Sequence, residues 1–432
     1  MTVSSTSSQV KGGPLPWSGL LALSCAAFTA VMTELLPAGL LPAMAPPLGV
    51  AESRIGFLVT AYAAASFLAA VPVTAALRGL PRRPVLCGAL LGFAVSDALV
   101  ALSSSYPLTF AARLLAGATG GTLWAMLAGY AARLAPAERR GRAIAIVLAG
   151  ITLALSLGVP AGTALAGAVG WRAAFATLAA LAVLLVVWIR LRVPGFPGEP
   201  AHARMPLTRV ALRPGIRPVL SVTLFLLLGH QVMYTYVAPF DAHAGYGRTG
   251  LLLAVFGTAT VAGIWVTGVL IDRQLRGTLL AALALFAGVL LALGLGARAH
   301  ALLLGAVALW GVAFGGAPTL IQTALVDASG PAEADVATAL QTTVYNAGIA
   351  AGSLTGGVAL DAMGAGALPW TALPPALLAL ATVTASRRHA FPPLRHTVAP
   401  EAEVPTESGP MAGACTAGGH AVRRSAGDGQ GL

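Results

Sequence analysis

Three ionisable residues, Glu34, Asp97 and Arg113, lie within long apolar stretches of the sequence. An ionised side chain at the centre of a membrane-spanning helix costs roughly 3 kcal/mol or more, so such a residue faces the protein interior or a water-filled cavity. Burial favours the neutral form of the Glu34 carboxyl and a nearby cation favours its ionised form, so Glu34 is a candidate proton carrier. Arg113 keeps its charge and needs an acid or a set of carbonyl oxygens beside it.

Each of these residues also has a structural interpretation. Glu34 could be neutralised by a hydrogen bond, and Arg113 could form a static ion pair. Counted at about 1.5 Å per residue from the outer end of each predicted span, Arg113 and Asp97 both lie roughly 10 Å deep, and Glu34 lies roughly 18 Å deep. We therefore expect Asp97 to be the nearer partner of Arg113, and Glu34 to reach it only through helix tilt or a bridging water.

A second group of polar residues occupies two later apolar stretches. We predict that they line a substrate cavity, and they comprise His230, Gln231, Tyr234 and Tyr236, followed by Gln341, Tyr345 and Asn346. Gln231 and Tyr234 share one helix face, and Tyr236 points elsewhere. Hydrogen bonding between helices explains these residues almost as well. His230 is also a candidate second proton site, because imidazole titrates near neutral pH.

Proline and glycine residues mark places where helices can bend or slide. Pro37 and Pro42 each remove a backbone hydrogen bond from the first apolar stretch, which predicts a bend or break close to Glu34. Further candidate conformational motifs lie in the fifth stretch and in the loop after the eighth: Gly158, Pro160, Gly162, Gly268, Asp272 and Arg273.

Membrane-spanning helices position all of these residues. Hydrophobic residues make up 57% of the 432 and charged residues 9%, and the mean hydropathy is +0.82, a balance that excludes a soluble globular domain. Apolar runs of spanning length occur twelve times, at residues 17–45, 54–77, 84–104, 107–130, 143–167, 171–191, 217–241, 248–270, 277–297, 300–325, 336–360 and 367–386. The sequence therefore predicts an all-α membrane protein.

Lysine and arginine positions set the orientation of these spans. With the N-terminus inside, 21 of the 26 basic residues are cytoplasmic, Arg113 is within a span, and four are outside: Arg54, Arg172, Arg248 and Arg298. This bias predicts that both termini are cytoplasmic. We expect a cytoplasmic arm at residues 1–16, a cytoplasmic linker at 192–216 and a disordered cytoplasmic tail at 387–432.

The two sets of six spans, residues 17–191 and 217–386, resemble each other. Gly158 and Gly162 recur 194 positions later as Gly352 and Gly356, and Pro42 recurs 197 positions later as Pro239. Two parallel six-helix repeats place a substrate site near the membrane midplane between the halves.

Several other functions are disfavoured. The net charge of +11 comes from short clusters between apolar runs, which argues against nucleic-acid binding. The three cysteines match no metal or disulfide framework. The GYGRTG sequence at 245–250 follows no strand, and the chain contains no phosphate-binding loop and no paired nucleophile and base. We therefore expect no catalytic residues, no metal and no cofactor.

Several segments carry a resemblance to the major facilitator superfamily. They are TELLPAGLLPAMAPPLGVAESRIGFLVTAYA at 33–63, RLLAGATGGTLWA at 113–125, ERRGRA at 138–143, LGVPAGTALAGAVGWRAAF at 157–175, YTYVAPF at 234–240 and FGGAPTLIQT at 314–323. They are similar to the twelve-span drug:proton antiporter group, in the branch of sugar efflux permeases, purine exporters and chloramphenicol-resistance proteins. The resemblance implies two pseudo-symmetric six-helix bundles in a bacterial-type inner membrane, and it matches Arg113 to an arginine tied to proton coupling.

Two departures from the family pattern affect the conformational motifs. In the loop after the second span, Arg78 and Gly79 stand where the family has an aspartate and an arginine, whereas Gly268, Asp272 and Arg273 keep the second-half copy intact. In the fifth span, Val159 separates Gly158 from Pro160, which weakens the marker of transport direction.

We conclude from the sequence that the chain is a proton-coupled antiporter that exports a small, moderately hydrophobic molecule such as a drug, with the proton gradient as its energy source. The alternative substrates are a sugar, a nucleoside or another metabolite. A membrane sensor or channel is a different class, which lacks support because no ring of equivalent residues appears. We expect a monomer whose partners are the substrate, protons and membrane lipids.

Overall fold

The computed structural model describes residues 15–77, 79–136, 139–198, 215–329, 334–387 and 390–391. Side chains are not described at 70–71, 74–75, 272–273 and 334–336. Most of the predicted tail, of the N-terminal arm and of the linker lies outside the described residues, as do Arg78 and the side chains of Asp272 and Arg273. Within the described ranges the regular structure is helical, without a strand.

Twelve long helices make up the described part of the chain. They are α1 Trp17–Gly39, α2 Glu52–Leu77, α3 Arg82–Leu102, α4 Tyr106–Leu134, α5 Arg140–Val169, α6 Trp171–Arg192, α7 Ile216–Tyr234, α8 Thr249–Ile271, α9 Gln274–Gly296, α10 His300–Ser329, α11 Ala334–Met363 and α12 Leu368–Ala385. Nine of them have both the length and the apolarity to cross a membrane over the residues described. The others, α2, α4 and α11, have 26, 29 and 30 residues, more than the about 20 that a span needs.

Helix breaks occur where proline removes a donor. The α1 helix ends at Gly39, and after the non-helical Leu40 a short helix, Leu41–Met44, carries Pro42 at its start. In α5 a π-helical turn, Ala154–Gly158, ends two residues before Pro160, whose ring cannot donate to the carbonyl of Ser156 and crowds it. The α7 helix is interrupted at Thr235 and Tyr236 and resumes as Val237–Ala244. The break predicted close to Glu34 is therefore observed.

The two halves of the chain pack in the same way. In the first half α1 packs on α5 and α6, α2 on α4, and α3 on α6. In the second half α7 packs on α11 and α12, and α10 packs on the continuous α8 and α9 pair. The halves meet where α2 packs on α11 and where α8 packs on α5.

Glycines make this internal repeat visible at atomic scale. A Cβ on Gly117 would lie 2.1 Å from the carbonyl oxygen of Tyr62, and one on Gly121 would lie 2.8 Å from that of Ser66, so α4 approaches the backbone of α2 closely. The residues 194 positions later make the equivalent contacts between α10 and α8: Gly311 with Phe256, and Gly315 with Thr260. Small residues permit such close helix packing in membranes.

Candidate functional site

Arg113 extends from α4 to the weakened end of α1. Pro37 has no N–H to donate to the carbonyl oxygen of Thr33, four residues earlier, so this oxygen lacks its helical partner. The Nη1 of Arg113 donates to the Thr33 oxygen, and Nη2 donates to the Glu34 carbonyl oxygen at 3.0 Å. The Nε of Arg113 donates to the carbonyl oxygen of Leu58 in α2 at 3.3 Å. Three carbonyl oxygens therefore bind a fully buried guanidinium.

Asp97, the nearer partner that we expected for Arg113, is hydrogen bonded to Thr33. Its Oδ2 accepts a hydrogen bond from Thr33 Oγ1 at 2.8 Å, and no hydrogen bond joins it to Arg113 among the described residues. The two side chains interact through their charges at longer range. The arginine binds backbone oxygens instead, because Pro37 leaves the carbonyl of Thr33 without its helical donor.

The carboxyl group of Glu34 lies beside this arginine without a hydrogen bond. Glu34 is 7% exposed, and its Oε1 is buried with no partner in the described part of the chain. The guanidinium carbon of Arg113 lies 4.9 Å from the centre of the Tyr62 ring, which closes a second side of the site. Tyr345 of α11 is near enough to interact electrostatically with Glu34. The acid is therefore close enough to the second half to interact electrostatically with it.

The predicted cavity residues of α7 lie in an aromatic cluster. His230 stacks on Phe314 with ring centres 3.6 Å apart, and its Nδ1 accepts a hydrogen bond from Trp310 Nε1 at 3.2 Å. Tyr234 stacks on His230 at 5.2 Å, and its hydroxyl is buried without a partner among the described residues. Gln231, on the next position of the helix, is buried with its Nε2 likewise unpaired there.

The remaining predicted cavity residues are divided between two places. On α11, Gln341 and Asn346 are buried, and Asn346 donates to the carbonyl oxygen of Thr342 in its own helix. Tyr345 is the residue of this set that approaches Glu34. Tyr236 packs elsewhere, as its position after the break in α7 requires, and it is completely buried.

Tyr236 lies in the contact between the halves. Its hydroxyl donates to the carbonyl oxygen of Ser353 at 2.7 Å. A Cβ on Gly56 of α2 would lie 2.2 Å from this hydroxyl oxygen, and one on Gly357 of α11 would lie 2.5 Å from it. Nearer the midplane, a Cβ on Gly257 of α8 would lie 2.4 Å from the carbonyl oxygen of Leu155 in α5. The halves are thus in tight contact across the predicted outer part of the interface.

The other predicted conformational residues differ in their surroundings. Gly158 packs against Met32 and Phe28, and Gly162 against Leu36, so both serve the contact between α5 and α1. A Cβ on Gly268 would have no neighbour within 4 Å. The described residues contain no group of three metal-binding side chains.

Three residues that matter to this geometry were not singled out from the sequence. Thr33 contacts both Arg113 and Asp97, Tyr62 covers the guanidinium, and Trp310 donates to His230. Only Thr33 carried a signal, because it precedes Pro37 by four residues and so has a carbonyl without a helical donor. Tyr62 and Trp310 are aromatic residues in apolar runs, where packing is the usual role.

The fold and the site together define a class of protein: a membrane carrier built from two repeated helix bundles, with buried ionisable groups in the first bundle. A family model described as the Major Facilitator Superfamily matches residues 23–406, and the chain belongs to this superfamily. It is a multi-pass transporter with twelve transmembrane helices in two six-helix bundles, and it is not an enzyme. The family and fold class predicted from the sequence are confirmed.

Known proteins resemble the chain over most of its length. The purine ribonucleoside efflux pump NepI of Escherichia coli K12 is 29% identical over 355 residues, which cover 81% of this chain and 88% of that protein. The crystal structure of the D-xylose-proton symporter covers 86% of this chain and 97% of its own, with a TM-score of 0.70 and 15% identity. The crystal structure of the human organic anion transporter MFSD10 (TETRAN) covers 86% of this chain and 100% of its own, with a TM-score of 0.65 and 20% identity. The two structures share the fold.

Proposed function

We propose that this chain is a proton-coupled antiporter that exports a small polar molecule, and that Glu34 carries the proton. The observation that carries this proposal is the Glu34 carboxyl, whose buried Oε1 has no hydrogen-bond partner among the described residues, beside an arginine that already binds three carbonyl oxygens. A carboxyl group with a full set of hydrogen bonds to one partner would be held in one protonation state. An unpaired carboxyl near a fixed positive charge can instead change its state when a substrate or helix moves.

The position of Glu34 connects protonation to the motion of the halves. Arg113 holds the backbone of α1 at Thr33 and Glu34, while Tyr345 approaches the carboxyl from α11. Movement of α11 against α2 therefore changes the electrostatic environment of Glu34. In the conformation observed, the halves are closed at the predicted outer end, so protons and substrate would exchange with the cytoplasm. We place both termini in the cytoplasm and the chain in a bacterial inner membrane.

A curated relative and the unpaired polar groups of α7 favour a polar substrate, which is a narrower class than the sequence alone indicated. NepI, a relative over most of the chain, is described as a purine ribonucleoside efflux pump. The unpaired Gln231 amide and Tyr234 hydroxyl support a polar substrate better than a moderately hydrophobic drug. We therefore favour the alternative substrate class, a nucleoside or a similar metabolite.

Replacing Glu34 with glutamine tests the coupling. In proteoliposomes with an imposed pH gradient, we expect Glu34→Gln to abolish gradient-driven transport of labelled inosine, a purine ribonucleoside, and to retain inosine counterflow. Counterflow needs the conformational cycle without net proton movement, so it shows that the variant is folded. Glu52→Gln, in the first turn of α2, is the matched control and should behave as the wild type.

Gradient-driven transport by Glu34→Gln at the wild-type rate would refute the role of Glu34. Counterflow also separates this carrier from a channel, because a pore shows no acceleration by substrate on the opposite side of the membrane.

A further inference from the structure

Trp310 of α10 fixes the hydrogen-bonding state of His230 of α7. The indole Nε1–H donates to His230 Nδ1 at 3.2 Å, and the two side chains are 2% and 4% exposed. An indole nitrogen can only donate, so Nδ1 must accept and carries no proton. The single N–H of the imidazole is therefore on Nε2. A protonated ring would direct a second N–H at the indole N–H, so this contact holds His230 neutral.

Aromatic packing prevents the imidazole from turning over. The ring lies nearly parallel to Phe314, at 6° and 3.6 Å between ring centres, and Tyr234 stacks on it at 5.2 Å. Phe256 of α8 contacts both His230 and Trp310, with ring centres 5.8 Å and 4.9 Å away. Among these described ring contacts from α7, α8 and α10, Tyr234 is titratable and none is charged. No group in the cluster therefore favours the imidazolium form.

Two buried polar groups of α7, the Nε2 of Gln231 and the hydroxyl of Tyr234, lack hydrogen-bond partners in the described part of the chain. The Nε2–H of His230, one position before Gln231, is the donor that the contact with Trp310 leaves available. Native proteins leave few buried donors unpaired, and each such donor is costly. Because all three groups can donate, they suit a molecule that presents acceptors.

We propose that His230 is a neutral, fixed Nε2–H donor that recognises a carbonyl or ring-nitrogen acceptor on the transported molecule, and that Trp310 is the residue that positions it. Gln231 and Tyr234 complete this donor set. The inference rests on the proposed function and assigns the site to uncharged, acceptor-rich molecules, a class that includes nucleosides. It also removes His230 from the candidate proton sites.

Four variants test this assignment, with equilibrium binding of labelled inosine as the first measurement. His230→Leu removes the donor and should weaken binding about ten- to hundred-fold. His230→Gln keeps an amide donor close to the Nε2 position, and should bind within about threefold of the wild type. Trp310→Phe keeps an aromatic ring and removes only the indole N–H. Trp265→Phe, at a site that is 72% exposed, is the matched control and should change nothing.

The tautomer of His230 separates positioning from simple packing. Without the indole donor, nothing fixes which imidazole nitrogen carries the proton, so Trp310→Phe should lose part of the Nε2–H form and bind inosine more weakly than the wild type. The wild type and His230→Gln should not show this weakening. Nitrogen NMR of histidine-labelled protein should report the Nε2–H tautomer in the wild type and its loss in Trp310→Phe, whatever the substrate.

Three results would overturn the proposal. A wild-type tautomer other than Nε2–H refutes the role of Trp310, and failure of the wild type to bind inosine refutes the substrate class. Loss of gradient-driven transport in His230→Gln with normal binding would make His230 a proton carrier. None of these results depends on Glu34→Gln, so the recognition role and the proton coupling can fail separately.

Discussion

Gly257→Ala tests whether the contact between α5 and α8 belongs to one conformational state of the transporter. A Cβ at position 257 would lie 2.4 Å from the carbonyl oxygen of Leu155 and 2.6 Å from the Cα of Ser156, and real Cβ atoms essentially never come closer than 3.0 Å. Both opposing atoms belong to the backbone, so no side-chain rotation can relieve the clash. The two helices must therefore separate at this contact.

The effect of Gly257→Ala on the conformational equilibrium depends only on energies that differ between the observed conformation and the conformations in which α5 and α8 are separated. Overpacking a close contact costs about 1–3 kcal/mol. The greater helix propensity of alanine stabilises α8 equally in every conformation in which α8 is helical, so it cancels from the equilibrium between conformations. A difference of about 1–3 kcal/mol shifts that equilibrium about 5- to 150-fold away from the observed state, which is closed at the predicted outer end.

Labelling of a single cysteine measures this shift. Thr163→Cys, in a background that lacks Cys25, Cys87 and Cys415, places the reporter where α5 lies against Gly39 and Gly250 at the predicted outer end. A membrane-impermeant maleimide should react faster in Gly257→Ala by up to the same factor. Gly305→Ala is the control, because a Cβ there would have no neighbour within 4 Å. Equal labelling rates in the parent and in folded Gly257→Ala would refute the reasoning.

Two further substitutions test the contacts around Arg113. Pro37→Ala restores an N–H that competes with Arg113 for the Thr33 carbonyl oxygen. The α1 helix should gain up to about 3 kcal/mol, which raises the melting temperature, and gradient-driven inosine transport should slow about tenfold or more. Unchanged transport would contradict the link between Pro37 and Arg113. Gly117→Ala places a Cβ 2.1 Å from the Tyr62 carbonyl oxygen. After the gain in helix propensity is subtracted, the stability of the detergent-solubilised protein should fall by up to about 2 kcal/mol. Thermal unfolding measures this loss against Gly129→Ala, where an added Cβ would have no neighbour within 4 Å. A normal melting temperature would contradict the close packing of α4 on α2.

The fold was predictable because the bilayer imposes a length and a polarity on each helix. Twelve apolar runs became twelve helices, and the helix break after α1 follows from Pro37 and Pro42, which act on their own helix. The repeat at 194 positions, noticed through Gly158 and Gly352, recurs in the packing of Gly117 and Gly311. Local rules of this kind do not need the tertiary structure.

The partners within the site were not predictable in the same way. The carbonyl that Pro37 leaves without a donor could be identified from the sequence, but its new donor, Arg113, is 80 residues further along the chain. Trp310 is likewise 80 residues from His230, in an apolar run where an indole resembles packing. Side-chain pairing depends on which helix faces which, and depth along a span does not contain that information.

The internal repeat gives a physical reason for the proposed division of roles, in which one half handles the proton and the other the substrate. The offset of 197 that relates Pro42 to Pro239 also relates Glu34 of α1 to Gln231 of α7. The two side chains have nearly the same shape, but only the carboxyl can ionise. Glu34 lies beside Arg113, whereas Gln231 follows a histidine that Trp310 holds neutral. A proton and an uncharged substrate then use different copies of one position, and neither has to displace the other directly. In the proposed mechanism, coupling between them passes through the motion of the halves, because Tyr345 of the second half interacts electrostatically with Glu34 of the first.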